Sequence, residues 1–356
     1  MKFGVFDHLD ASGVPLRQFY DDRLRLAEAY ERAGIHAYHV AEHHHTPLGL
    51  APAPSVFLAA LAQRTRKLRF GPVVYTLPLH HPLRLADEIC MLDQMSGGRL
   101  ELGIGRGISP IEFGYFGVDF AKDSQPMYLE AYQVLLQALT SKRVNFEGKY
   151  YRFRDAPMTL EPLQKPHPPL WYGLSNAEST EWAARTGLNV VSNRPGHVVR
   201  EIVRRYRAEW KRLGKDESKL PFIGFTRHLV ISNSTDEAMT VARRAYRIWF
   251  ASFIKLWREH KHDESFLPYP EDFDELVKRG QAIAGTPDQV RETIARQVKE
   301  TGINYLLLRF AFGDLTLAES LRSVRLFARA IGRRPRAGPG RRRTARKPRA
   351  DRARRR

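Results

Sequence analysis

The chain has 356 residues, 43% of them hydrophobic, which is enough for one large α/β barrel or two ordinary domains. No apolar run approaches the ~18–20 residues of a membrane span, and the single cysteine, Cys90, excludes an intrachain disulfide and any multi-cysteine metal site. The net charge of +19 is concentrated at one end: Arg333 to Arg356 carries 13 Lys or Arg against one Asp, net +12, and leaves +7 for the other 332 residues.

Met1 to Asp7 turns acidic too early for a signal peptide, so the chain is expected to stay in the cytoplasm and Lys2–Asp7 to form a first strand. An amphipathic helix follows over Leu16–Ala33, stopped by Gly34, and a strand over His36–Ala41. Pro54–Arg64 reads as a helix, Leu68–Thr76 as a strand, and Pro82–Met95 as a helix with Pro near its start. Leu100–Gly105 is a strand and Gln125–Thr140 a helix. Pro169–Gly173, entered through the Pro-rich run Pro162–Pro169, is a fifth strand, followed by a helix over Ser175–Thr186. Leu188–Ser192 is a strand, His197–Leu213 a helix, Phe222–Ile231 a strand and Thr235–Ile254 a long helix. Thr286–Thr301 is helical, Ile303–Phe310 is the eighth strand, and Leu315–Ile331 closes the chain's folded part.

Eight strands, nearly all followed by helices, predict an α/β protein built as a (β/α)8 TIM barrel over residues 1–332. A doubly wound sheet is the alternative, but Asp7-His8-Leu9-Asp10 is no Gly-rich nucleotide loop. Ser141–His167 is an insertion whose Val144–Phe153 stretch alternates around Gly148 like a hairpin. Lys255–Ala284, long, charged and aromatic, reads as a mobile lid. Residues 333–356 have no apolar side chain beyond Ala and Pro, and form a disordered basic tail that binds polyanions non-specifically, if it has a role.

Catalytic groups of such barrels sit at the C-terminal ends of strands. The reading puts Asp7 and His8, then Glu42-His43-His44-His45, then Tyr75 and Thr76, then Arg106, then Ser175 there. Histidine titrates nearest neutral pH and suits proton transfer. Consecutive His43, His44 and His45 alternate faces on a strand and do not all ligate one ion, although a zinc site, or a structural cluster, is a rival use. Gly103-Ile104-Gly105-Arg106-Gly107 is a Gly-flanked arginine that allows a ligand close to the backbone and offers planar donors to an anion. Ser175, Asn176, Ser179 and Thr180, at a strand-to-helix junction, either cap the helix or hold a phosphate.

The order and spacing of Glu42-His43-His44, Leu77–Arg84, Leu92-Asp93-Gln94-Met95-Ser96-Gly97-Gly98-Arg99, Gly103–Gly107, Phe116-Gly117-Val118-Asp119 and Gly285-Thr286-Pro287 resemble the bacterial luciferase-like flavin-dependent monooxygenases, over roughly Lys2 to Ile331. The resemblance implies reduced FMN, fed by a separate flavin reductase, and dioxygen that adds to the flavin as a C4a-peroxide and oxidises an organic substrate. His43 then matches the catalytic histidine, with Glu42 and His44 beside it. Arg106 matches an arginine near the flavin, Ser175, Asn176 and Ser179, with Thr180, the FMN phosphate segment, and Val73-Val74 a non-prolyl cis peptide under the isoalloxazine. A homodimer through helices near the second and third strands is implied too. Gly105 stands where the luciferases carry a cysteine, and a second phosphate-binding arginine falls near Ser124 with only Lys122 close by. The acidic residue before the phosphate serine is Leu174 or Ser175 here, so light emission is not implied. The competing functions are a deazaflavin-dependent hydride-transfer dehydrogenase, a non-catalytic flavin carrier, and a nucleic-acid binder working through the tail.

Overall fold

The computed structural model describes residues 1–174 and 177–331, so Ser175, Asn176 and the basic tail lie outside the described residues. The strands are β1 (Lys2–Asp7), β2 (Ala37–Val40), β3 (Arg69–Pro72), β4 (Tyr75–Thr76), β5 (Leu102–Gly105), β6 (Arg143–Glu147), β7 (Arg152–Pro157), β8 (Leu170–Gly173), β9 (Asn189–Ser192), β10 (Ile223–Ile231), β11 (Ala282–Gly285) and β12 (Tyr305–Arg309). The helices are α1 (Leu16–Arg32), α2 (Pro54–Arg64), α3 (Pro82–Ser96), α4 (Pro110–Tyr115), α5 (Ser124–Thr140), α6 (Thr180–Thr186), α7 (Gly196–Arg212), α8 (Thr235–Glu259), α9 (Phe273–Lys278), α10 (Pro287–Thr301) and α11 (Leu317–Ala330).

Parallel pairing runs β3-β2-β1-β12-β10-β9-β8-β5-β4. A bridge between Phe70 and Leu100 brings β3 back to the start of β5, so the sheet curls into a nearly closed barrel. The register is continuous: Gly4 pairs with Ala37 and with Leu307, and Gly224 with Tyr305. β2, β5 and β12 are buried along their whole lengths, as expected of strands covered by helices outside and by side chains within. Close approach explains two glycines. A Cβ at Gly71 would lie 1.6 Å from the Glu101 carbonyl oxygen, and one at Gly103 would lie 2.1 Å from that of Pro72.

Inside the barrel, Trp171, Tyr305 and Leu307 pack together and are fully buried. The Trp171 indole stacks on Phe222 and donates to Glu101 at 2.5 Å, while Glu101 also pairs with Arg69. His39 Nε2 and the Tyr305 hydroxyl are 3.1 Å apart. This aromatic plug fills the lower barrel and leaves space for a ligand at the C-terminal mouth.

Three sequence expectations change. Leu68–Thr76 is not one strand: the chain breaks at Val73-Val74, whose peptide is cis, and Tyr75 resumes pairing with Ile104 on β5. The helix expected from Ser175 begins only at Thr180. Lys255–Ala284 is not an irregular lid. α8 continues to Glu259, then α9 and β11 follow, and β11 adds to β10 with His228 opposite Ala282. Trp257, Tyr269, Phe273 and Leu276 are buried there, so the aromatic content signals packing. The longest exposed run in this segment is 258–266. The hairpin of the first insertion is present as β6 and β7, with Phe146 paired to Phe153.

Candidate active site

At the mouth, side chains from seven strands or the turns that follow them, with two from α4, face one cavity of about 290 Å³, lined by Phe6, Glu42, His43, Val73, Val74, Arg106, Glu112, Phe113, Tyr172, Thr226 and Arg309 among others. Pockets of this size take small molecules and cofactors. A larger groove, about 570 Å³, lies on the outer face between α7 and α10 and is lined by Arg200, Arg227 and Arg296. It holds none of the strand-end groups, so size does not mark the site.

β2 ends at Val40, and the chain turns at once, which leaves Glu42 and His43 at the rim. Gly49 folds back on this turn so closely that a Cβ would sit 2.7 Å from the His43 Cβ. Glu42 is buried beneath the rim. It accepts from the Thr76 amide at 3.1 Å and is paired with His44 Nε2 at 2.8 Å and His80 Nε2 at 3.0 Å. Burial opposes its charge, but the hydrogen bonds from His44 and His80 outweigh burial and hold the carboxyl down at about 2. His80 is correspondingly raised: burial lowers it, and the bond and charge of Glu42 prevail.

His43 is half-buried, and its Nδ1 lies 3.1 Å from Glu112. The other Glu112 oxygen accepts the His44 amide at 2.7 Å. Burial pushes the His43 imidazole down, yet the Glu112 charge and hydrogen bond raise it above its ordinary value. Glu112 shifts the opposite way: burial raises it, and the His43 charge brings it lower. His43 Nε2 makes no hydrogen bond among the described residues, so a proton there is free for a ligand in the cavity. His8 neighbours it, with ring centroids 5.7 Å apart, and takes a long bond from Trp249 at 3.4 Å. Burial, then the Arg309 charge, pushes His8 well down, which keeps it neutral.

The adjoining wall carries Val73-Val74, next to β2 on β3, and the Gly-flanked arginine after β5. A Cβ at Gly105 would come within 2.5 Å of Val74, and Gly107 has φ +85°, which only glycine adopts without strain. Arg106 lies over the Phe120 ring at 4.8 Å and makes no ion pair among the described residues.

The structure therefore brings Glu42, His43, Val73, Val74 and Arg106 to one cavity. His44 does not line it; its ring turns to Glu42. Ser179 is half-buried, with a hydroxyl that makes no capping bond, and Thr180 is fully buried; neither lines the cavity. Ser175 and Asn176 lie outside the described residues. Asp7 turns from the cavity to Tyr38 and Arg23. Among the described residues no His, Cys, Asp and Glu group of three or more is arranged to hold a metal ion.

Two functional side chains escape a reading of the sequence. Glu112 sits three residues after Ser109, whose hydroxyl accepts the Glu112 amide, so the pattern looks like an ordinary helix cap. Its carboxylate instead serves His43 and His44. Arg309 ends the apolar run Leu306-Leu307-Leu308, and its place at a strand end is the available signal.

The His43–Glu112 pair gives a pH prediction. The raised histidine stabilises the fold below its ordinary value of about 6.5, and this is lost as pH rises through the raised value. The lowered Glu112 stabilises above about 4.3 and loses that as pH falls through its lowered value. Glu112→Gln is therefore expected to destabilise most between about pH 4.3 and 6.5, and to move the His43 limb of a turnover profile to lower pH. Thermal melts and rate profiles over pH 4–9 check both; an unmoved limb contradicts the coupling.

The luciferase-like monooxygenase family matches residues 1–305 of this chain. Protein y4wF of Sinorhizobium fredii is 42% identical over 325 residues, covering 90% of this chain and 93% of the relative. The oxygenase component of the flavin-dependent trigonelline monooxygenase of Acinetobacter baylyi is 27% identical, covering 83% of this chain and 84% of that one. Among solved structures, monooxygenase RslO1 from Streptomyces bottropensis superposes with a TM-score of 0.83 at 28% identity, over 93% of this chain and 98% of its own. The coenzyme F420-dependent tetrahydromethanopterin reductase of Methanopyrus kandleri shares the fold alone, with a TM-score of 0.68 at 20% identity over 93% of this chain and 98% of its own. With the family matched over most of its length, the chain belongs to the luciferase-like flavin-dependent monooxygenases.

Proposed function

We propose that the chain is the oxygenase component of a two-component monooxygenase that takes reduced FMN from a separate reductase and oxidises a small organic substrate with dioxygen. The observation that carries this reading is the placement of His43, braced by Glu112, in one cavity with the adjoining Val73-Val74 and Gly105-Arg106-Gly107 wall. When bound, reduced FMN supplies the electrons that activate dioxygen.

The residues present fit such a ring. Val73 and Val74 give an apolar bed, and Gly105 and Gly107 let a flat group approach the backbone. Gly173 on the same rim has no atom of the described residues within 4 Å of where a Cβ would stand. Arg106, without a carboxylate partner among the described residues, and the segment of Ser175, Asn176 and Ser179 would hold the phosphate where it extends beyond the cavity. His43 holds or delivers a proton at Nε2, with Glu112 fixing the ring. Glu42 orders the rim through His44, His80 and Thr76. The F420 enzyme's likeness concerns the fold, and the 27% relative is named flavin-dependent.

The test is oxygen uptake with reductase-supplied reduced FMN and a panel of organic substrates. Substrate-dependent product that needs both the protein and FMN supports the reading; hydride transfer from F420 with no use of FMN contradicts it. Within it, Ser179→Ala is expected to weaken FMN by roughly 1.5–3 kcal/mol and riboflavin hardly at all, since only FMN carries the phosphate. Equal weakening in calorimetric titrations places the phosphate elsewhere.

The proposed assembly is a homodimer through α2 and α3, where Val56 is 73% exposed and Met91 and Met95 52% each. The chain cut after Gly332 is expected to sediment at twice the monomer mass and to keep its FMN affinity, while its heparin retention falls. A concentration-independent monomer contradicts the dimer.

A further inference from the structure

Arg309 is 2% exposed, lines the cavity, and forms no ion pair among the described residues. Its Nη1 lies 3.3 Å from His228 Nε2 and its Nη2 donates to the Tyr269 hydroxyl at 2.8 Å. Its Nε has no hydrogen-bond partner among the described residues. The guanidinium is boxed by rings, with centroids of Phe6 at 4.9 Å, Tyr269 at 5.2 Å and Trp249 at 5.4 Å. A buried cation without a counterion is costly unless a ligand supplies one.

The strand order places this group. Around the ring, β12 stands four strands from β5 in either direction, so Arg309 faces the cavity from the side opposite Gly105 and Arg106. If the flavin lies on the Val73-Val74 and Gly105 wall, Arg309 remains for whatever fills the other half. The Nε–Nη2 edge of a guanidinium is the side-on fork that matches a carboxylate with two parallel bonds, and here its Nε is unpartnered among the described residues.

We propose that the substrate is a small organic acid whose carboxylate is held side-on by Arg309, which orients its oxidisable part toward the flavin half of the cavity and His43. Arg309 is thereby the residue that decides substrate class. The inference rests on the reading of this cavity as a flavin-dependent active site. The other anion that could reach Arg309 is the reduced flavin ring itself, and the experiment separates the two.

FMN-loaded protein is titrated calorimetrically with benzoate, octanoate and their primary amides, and the same is done with Arg309→Lys and Arg309→Gln, with circular dichroism as the folding control. At least one acid is expected to bind at least about tenfold tighter than its amide, a gap that Arg309→Lys narrows and Arg309→Gln abolishes. No acid preference in the wild-type protein overturns the proposal, and needs no variant to fold. A preference unchanged in folded Arg309→Gln also overturns it. So does a weakening in that variant confined to reduced over oxidised FMN, measured anaerobically, which would assign Arg309 to the flavin. If FMN fails to bind but the acid preference stands and depends on Arg309, the organic-acid site holds and the flavin reading falls.

Discussion

His43→Ala is expected to lower turnover about 10²–10⁴-fold, the usual contribution of a positioned acid–base group, while leaving FMN affinity nearly unchanged. The imidazole is fixed by Glu112 at 3.1 Å, and its Nε2 has no partner among the described residues. The flavin wall, by contrast, is built from Val73, Val74, Gly105 and Arg106, on other strands, and does not depend on this ring. The variant should fold, because the lost side chain is half-buried and its space opens to the cavity. Single-turnover rates with FMN affinity measured in parallel check this. Turnover within a few-fold of wild type removes His43 from the chemistry, and a joint loss of turnover and FMN affinity makes it part of the flavin bed instead.

Gly103→Ala is expected to cost about 3 kcal/mol or more of stability, a fall in Tm of about 4 °C or more for a folded body of this size. Its Cβ would lie 2.1 Å from the Pro72 carbonyl oxygen and 3.0 Å from the Val73 Cα, both backbone, so no side chain rotates away to relieve the contact. The strands must separate where β3 turns toward the cavity. FMN affinity is expected to fall even below the melting temperature, because Val73 and Val74 move with that backbone. Gly114→Ala, at a site where a Cβ meets nothing within 4 Å, is the control. A Gly103→Ala protein that melts and binds FMN like wild type would show that the barrel wall relaxes at little cost.

Much of the fold is legible in the chain. Strands β1, β2, β8, β9, β10 and β12 fall in continuous apolar runs between amphipathic helices, and runs of that kind, alternating with helices, are the mark of a parallel barrel. Glu42 and His43 stand out because a charged cluster ends one of those runs. What stays hidden depends on contacts far apart in sequence. Glu112 reaches His43 across 69 positions and wears the disguise of a helix cap. The break at Val73-Val74 leaves no mark in the apolar pattern itself, and it is the family resemblance that points to the cis peptide found there. The 255–284 segment looks mobile because its charges alternate with rings, and only the α8 and β11 packing shows that Tyr269 and Phe273 are core. Arg309 reads as the polar end of a buried strand, although that position is where barrels place function.

The central claim is reduced FMN as the group that works against the Val73-Val74 wall, beside His43. It is tested most directly by anaerobic equilibrium titration of the full chain with reduced FMN, oxidised FMN and coenzyme F420, followed by admission of oxygen. The account predicts saturable binding of reduced FMN, weakened by Gly103→Ala and Arg106→Ala but not by His43→Ala, with no binding of F420. Saturable binding of F420, with reduced FMN unbound and its oxidation by oxygen unaffected by the protein, would contradict it.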